Sequence, residues 1–181
     1  MVYVFLAEGF EEIEALSPVD ILRRGGIDVK TVGVGSDVII GAHGIKVVCD
    51  VSERDVELSD IEAIILPGGM PGTVNLQKSK TVTDAINFAC NNGKIIGAIC
   101  AAPSIIGNMG LLNGKNAVCF DGFEKYLIGA YVSDKPVVRD GQIITARGAG
   151  VASEFGFSLL SALKCKEVAD KLRGDMKYIT V

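Results

Sequence analysis

Short apolar runs alternate along this chain with longer stretches of mixed character. Val2–Leu6, Ile27–Val34, Ala63–Leu66 and Ile95–Ile99 are short and largely β-branched, the pattern of buried strands. Glu11–Arg24 and Thr81–Asn91 read as helices, the second closed by Asn92-Gly93, a usual C-terminal stop. Pro18 inside the first predicts a kink or a later true start. Val38–Ile40 and Ile45–Val48 flank Gly41-Ala42-His43-Gly44, while Pro136–Arg139 and Ile143–Ala146 flank Asp140-Gly141, and both arrangements read as hairpins. Val151–Leu163 reads as a long helix. No repeat, low-complexity segment or linker breaks the alternation. Residues 1–181 therefore read as one α/β domain, a sandwich with a mostly parallel sheet and helices on both faces.

That fold class directs attention to one rim. In parallel sheets ligands sit beyond the carboxyl ends of the strands, where the strand order reverses. Glu8-Gly9-Phe10 follows the first strand, Pro67-Gly68-Gly69 follows Ala63–Leu66, Cys100 follows Ile95–Ile99, and Arg147-Gly148 follows Ile143–Ala146. The unusual residues all fall on that rim.

Composition narrows the chemistry. A net charge of −4 with scattered Lys and Arg argues against a nucleic-acid surface. No run approaches the ~18 apolar residues of a membrane span, and the first apolar run lacks the basic leader of a signal peptide. The 5 cysteines are widely spaced without a CxxC pair, and there is 1 histidine, His43. A zinc site or disulfide framework is not expected, and a reducing cytoplasm is the expected location. Neither a dinucleotide fingerprint nor a P-loop is present, so no cofactor is expected. A small-molecule partner fits best.

Gly97-Ala98-Ile99-Cys100-Ala101-Ala102-Pro103 places a cysteine where a buried strand turns into a helix. Small neighbours permit the sharp turn of a nucleophile elbow, and Pro103 suits a first helical turn. A thiol at a helix N-terminus is expected to have a pKa well below the free value of ~8.5. The same pattern also fits a small core residue. Glu14 shares a helical face with Pro18 and Ile21, which would desolvate its carboxyl and raise its pKa, although an acidic helix start equally fits a surface glutamate. Glu11 and Glu12 read as ordinary first-turn acids. Pro67-Gly68-Gly69-Met70-Pro71-Gly72 could aim a backbone N–H into the rim beside that of Ala101, forming an oxyanion hole, or could be only a tight turn.

Taken in order, Ala7-Glu8-Gly9-Phe10-Glu11-Glu12-Ile13-Glu14, Leu66-Pro67-Gly68-Gly69, Ala98-Ile99-Cys100-Ala101-Ala102-Pro103 and Thr145-Ala146-Arg147-Gly148 resemble the ThiJ/PfpI superfamily, in the branch of the Parkinson-disease protein deglycase. The resemblance runs over nearly the whole length. It implies a flavodoxin-like homodimer with Cys100 at the elbow and Glu14 as its protonated partner. Gly69 and Ala101 would be backbone donors, Gly68 would shape their turn, and Arg24 would approach the site from the partner subunit. His43 falls where relatives place an arginine near the dimer interface. Members often carry a histidine where this chain reads Val118-Cys119-Phe120-Asp121, and Asp121 is a poor base beside a thiolate because like charges repel.

The activities implied are glyoxalase- or deglycase-type chemistry on methylglyoxal or its early glycation adducts, without metal, nucleotide or glutathione. The substrate would be a small reactive aldehyde or a glycated thiol or amine. The competing reading is a redox sensor or redox-regulated chaperone whose Cys100 becomes a sulfinate. An intracellular protease or amidase is the weakest, for want of a base near the thiol.

Overall fold

The computed structural model describes residues 1–178. Seven strands form the main sheet: β1 (Val2–Leu6), β2 (Val29–Gly33), β5 (Val51–Ser52), β6 (Ala63–Leu66), β7 (Ile95–Ile99), β10 (Val137–Asp140) and β11 (Ile143–Ala146). Their order is β10-β11-β7-β6-β1-β2-β5, parallel throughout except for the β10–β11 hairpin. The hairpin of β3 (Val38–Ile40) and β4 (Lys46–Val48) stands apart as its own two-stranded sheet, as do β8 (Asn116–Ala117) and β9 (Tyr131–Val132).

Helices cover both faces, which is why the central strands are apolar at consecutive positions rather than alternate ones. On one face Ala15, Val19, Ile21 and Leu22 of α1 (Glu12–Arg24) pack with Phe155, Phe157, Leu159 and Leu160 of α5 (Ala152–Leu163) over Val2, Val4 and Leu6. On the other, Val82, Ala85, Ile86 and Ala89 of α3 (Lys80–Asn91) and Ile105 and Ile106 of α4 (Pro103–Asn108) cover Tyr3, Phe5, Ile64 and Leu66. Two further helices, α2 (Gly72–Lys78) and α6 (Lys166–Asp175), complete the set. No helix among the described residues is long and apolar enough to cross a membrane.

The later start considered for the first helix is corrected: α1 begins at Glu12 and includes Pro18. Pro18 faces α5, where Gly156 leaves room for it; a Cβ on Gly156 would lie 3.2 Å from the Pro18 Cα and 2.9 Å from Ile21. This packing accommodates a proline that would be unfavourable in an isolated helix. The strand expected over Ile27–Val34 is shorter, because only Val29–Gly33 finds ladder partners on β1. Helix α6 carries few apolar positions, with Ala169 buried, and so lacked a sequence signal.

Topology positions the site. From β1 the chain steps to β2 and β5 on one side, then crosses back to β6 and β7 on the other. The order therefore reverses between β1 and β6, and the segments leaving these strands converge at their carboxyl ends.

Candidate active site

Cys100 leaves β7 with φ at 64°, a left-handed conformation that costs a non-glycine residue on the order of 1–3 kcal/mol. The strain is held from both sides. Its N–H donates to the Ala146 carbonyl at 2.9 Å, tying it to β11, and its carbonyl accepts from the Phe120 N–H at 2.8 Å. The half-buried thiol is thereby fixed on the rim, next to the first turn of α4, with Pro103 opening that helix as expected.

Glu14 enters from the first turn of α1 and is 1% exposed. Its Oε2 accepts the Gly68 N–H at 2.9 Å and its carboxyl hydrogen-bonds with the Cys100 thiol. Gly68 is thus a donor, but to Glu14; the backbone N–H groups that hydrogen-bond with the Cys100 sulfur are those of Ala101 and Gly69. A Cβ at Gly68 would lie 2.7 Å from the Cys100 Cβ and 2.7 Å from Glu14 Oε2, so only glycine lets the β6 turn reach between them. Gly69 adopts φ 87°, and the Gly68 carbonyl accepts the Glu11 N–H at 3.0 Å, which locks this turn to the start of α1.

Electrostatics reverse one expectation. Burial pushes the Glu14 carboxyl up to about 7, with the Cys100 and Gly68 hydrogen bonds pulling against it and Glu11 adding to the rise. Burial, and then the charge and hydrogen bond of Glu14, push the Cys100 thiol up to about 12, against the smaller pull of the Ala101 and Gly69 N–H groups. The low thiol pKa expected from the helix terminus is therefore corrected. Helix α4 spans 6 residues and begins three residues beyond Cys100, too short and distant to outweigh the burial of the thiol and the carboxylate in contact with it. The two groups titrate as a pair: one proton leaves near neutrality, and the charge it creates holds the second in place. As Glu14 ionises near pH 7, the pair passes from a protonated carboxyl beside a thiol to a thiol donating to a carboxylate.

The remaining expected positions make other contacts within their own chain. Arg24, at the end of α1, is exposed and pairs with Asp20 at 2.7 Å. His43, in the hairpin turn, meets Glu12 through Nδ1 at 3.0 Å and Glu11 at 3.5 Å. Asp121 is paired with Arg147, whose Nη2 and Nε reach the same carboxylate oxygen at 2.7 and 3.0 Å.

Glu12 is a buried residue that sequence reasoning missed. At 4% exposure it accepts the His43 N–H at 2.8 Å and the Ile45 N–H at 3.3 Å, clasping the β3–β4 hairpin onto α1. Burial opposes its charge, but the hydrogen bonds from His43 and the backbone outweigh it and hold its pKa below the usual carboxylate range. Among the described residues the cluster able to hold a metal ion is Glu11, Glu12 and His43. The hairpin donors already occupy Glu12, so its role here is that of a clasp. Nothing near Glu12 in the sequence distinguishes it from a surface acid, since its partners lie some thirty residues away.

Beside the Cys100–Glu14 pair opens a cavity of about 330 Å³ lined by Phe120, Asp121, Arg147 and Gly148–Val151. Gly148 connects it to the pair, a Cβ there lying 3.3 Å from the Phe120 ring and 3.9 Å from Glu14 Oε1.

Comparison with known proteins accounts for this assembly. The DJ-1 homolog B of Arabidopsis thaliana is 38% identical over 97% of this chain, which spans 41% of that relative's length. The glutathione-independent glyoxalase DJR-1.2 of Caenorhabditis elegans is 31% identical over 91% of this chain and 89% of its own. The structure of oxidized Toxoplasma gondii DJ-1 superposes with a TM-score of 0.94 at 32% identity, covering 99% of this chain and 98% of that one. The DJ-1/PfpI family pattern matches residues 1–162, so that sheet, elbow and glutamate all fall within the match and the chain belongs to the DJ-1/PfpI family.

Proposed function

We propose that this protein is a glyoxalase-type enzyme that converts a 2-oxoaldehyde such as methylglyoxal to its 2-hydroxy acid, using Cys100 as nucleophile and Glu14 as the proton carrier. The observation that carries the reading is the buried Glu14 carboxyl, raised to about 7 and hydrogen-bonded to the thiol. A base of that pKa can take a proton and return it within one cycle at neutral pH. The naming of the Caenorhabditis elegans relative as a glutathione-independent glyoxalase supports the same choice.

As Sγ bonds to the aldehyde carbon, the thiol proton passes to Glu14 and the carbonyl oxygen takes up the electron pair. The N–H groups of Gly69 and Ala101 lie on the thiol's side to stabilise that oxygen. Glu14 then protonates it, giving a hemithioacetal. Moving the proton of the thiol-bearing carbon to the neighbouring carbon, through an enediol, yields a thioester of the 2-hydroxy acid. Water hydrolyses this thioester, releasing the acid and restoring the thiol. Oxidation state is conserved overall, since one carbon is oxidised as its neighbour is reduced.

Purified protein given methylglyoxal without added thiol should form lactate over many turnovers per Cys100, and Cys100→Ser should form none. Consumption that stops at one equivalent per thiol would favour the redox-sensor reading instead. Protease chemistry is disfavoured because His43 is engaged by Glu11 and Glu12 and Asp121 by Arg147. Dimerisation through α1 and the β3–β4 hairpin belongs to the same proposal, supported by the exposed Ile13, Ile45 and Val48. Sedimentation at micromolar concentration should give the dimer mass, and a monomer would count against it.

A further inference from the structure

The cavity beside the catalytic pair is wider than methylglyoxal needs. Its walls are mainly apolar, and Phe120 presents its ring to the opening while remaining 50% exposed. The Phe120 N–H donates to the Cys100 carbonyl at 2.8 Å, so the backbone that carries the ring is tied to that of the nucleophile. The charged groups lining the cavity, Asp121 and Arg147, are paired with each other at 2.7 Å. Each cancels the other's attraction for an ionic substituent.

Resting on the glyoxalase reading, we propose that this cavity is the subsite for the substituent on the substrate's keto carbon, and that it selects an uncharged, ring-sized apolar group, with Phe120 as the specificity-determining side chain. With the aldehyde carbon at Sγ, the chain beyond the keto group would run past Gly148, where no side chain intervenes, and meet the Phe120 ring. An aryl group there would bury apolar surface and stack with the ring, whereas a methyl group would leave the cavity to water. The preferred substrates would be aryl-substituted 2-oxoaldehydes, with phenylglyoxal as the representative probe.

The test has two arms. The first compares kcat/KM for phenylglyoxal and methylglyoxal, expected to favour phenylglyoxal by roughly tenfold, the ordinary return for burying one such group. The second does not depend on turnover. It measures alkylation of Cys100 by phenacyl bromide and by bromoacetone, each normalised to its rate with free cysteine. Sulfur displaces bromide in both cases, and only the phenyl or methyl group differs. The normalised phenyl-to-methyl ratio should be near ten in the wild type and near one in Phe120→Ala. Ala149→Leu, which adds bulk at another lining position, should also lower the ratio and serves if Phe120→Ala folds poorly. A wild-type alkylation ratio near one, or a ratio that neither variant moves, would overturn the subsite. Selective alkylation without turnover of either aldehyde would uphold the subsite and defeat the glyoxalase reading alone.

Discussion

Replacing Glu14 by glutamine tests the reversed electrostatics of the pair most directly. The substitution keeps the shape and removes the charge. Of the causes that push the Cys100 thiol up to about 12, burial survives the change, while the charge and the accepting carboxylate of Glu14 are lost. Two unit charges about 4 Å apart repel by on the order of 4 kcal/mol at an effective dielectric of 20, and each pKa unit corresponds to about 1.4 kcal/mol. Since the contact is partly relaxed by solvent at the rim, the thiol pKa in Glu14→Gln should fall by between about one and three units. Thiolate absorbance followed across pH would measure this. Turnover should move the opposite way, dropping roughly 10²–10⁴-fold because the proton carrier is gone. In the wild type kcat/KM should rise through about pH 7 as Glu14 ionises, and that limb should vanish in the variant. A thiol pKa that rises or stays put in Glu14→Gln would refute the account, since it would mean that Glu14 holds the thiolate rather than the thiol.

The same carboxyl makes stability depend on pH. Because its folded pKa of about 7 lies above the ordinary 4.5, the folded state binds the extra proton between those values and loses stability as pH rises through them. Glu14→Gln should therefore raise the Tm relative to wild type more at pH 8 than at pH 5, and equal shifts at both would contradict the burial. Gly68→Ala places a methyl against both Cys100 and Glu14, and should cost about 1–3 kcal/mol in urea unfolding while also abolishing most turnover. Asp50 accepts from the Thr31 N–H and hydroxyl at 2.8 Å each and from Arg23 at 2.6 Å; although burial opposes its charge, these hydrogen bonds and the Arg23 charge hold its pKa low. Asp50→Ala should destabilise by about 2 kcal/mol at neutral pH, and the wild-type advantage should shrink as acid protonates the carboxylate. Arg173 grips Glu154 with two bonds of 2.6 Å and lies over Phe157 at 4.3 Å, joining α6 to α5. Arg173→Ala should speed hydrogen exchange in α6 without changing that of β1, and uniform protection across both would deny the clamp.

Much of this molecule follows from its sequence alone. Continuous apolar strands between helical stretches dictate a parallel sheet covered on two faces, because only such a sheet hides every position of Val2–Leu6 or Ile95–Ile99. The small Ala101 and Ala102 after Cys100, where a buried strand gives way to Pro103 and a helix, foretell the elbow whose φ is 64°. The rim rule then places Glu8–Phe10, Gly68, Cys100 and Arg147 at one end. What the sequence could not determine is everything that depends on distance between remote residues. Glu12 and Glu14 are both first-turn acids of α1, yet one clasps a hairpin in its charged form and the other meets a thiol with a raised pKa. The difference lies in their partners: His43 and backbone donors for the first, a desolvated sulfur and a single N–H for the second. The thiol's raised pKa is invisible in the sequence for the same reason. A helix terminus is visible locally, whereas the burial that overrides it, and the Glu14 carboxylate that adds to it, come from packing α1 and the Gly68 turn of β6 against the elbow. Charge–charge energies follow separation and burial, and only the packed sheet brings Glu14, eighty-six positions away in sequence, into contact with Cys100.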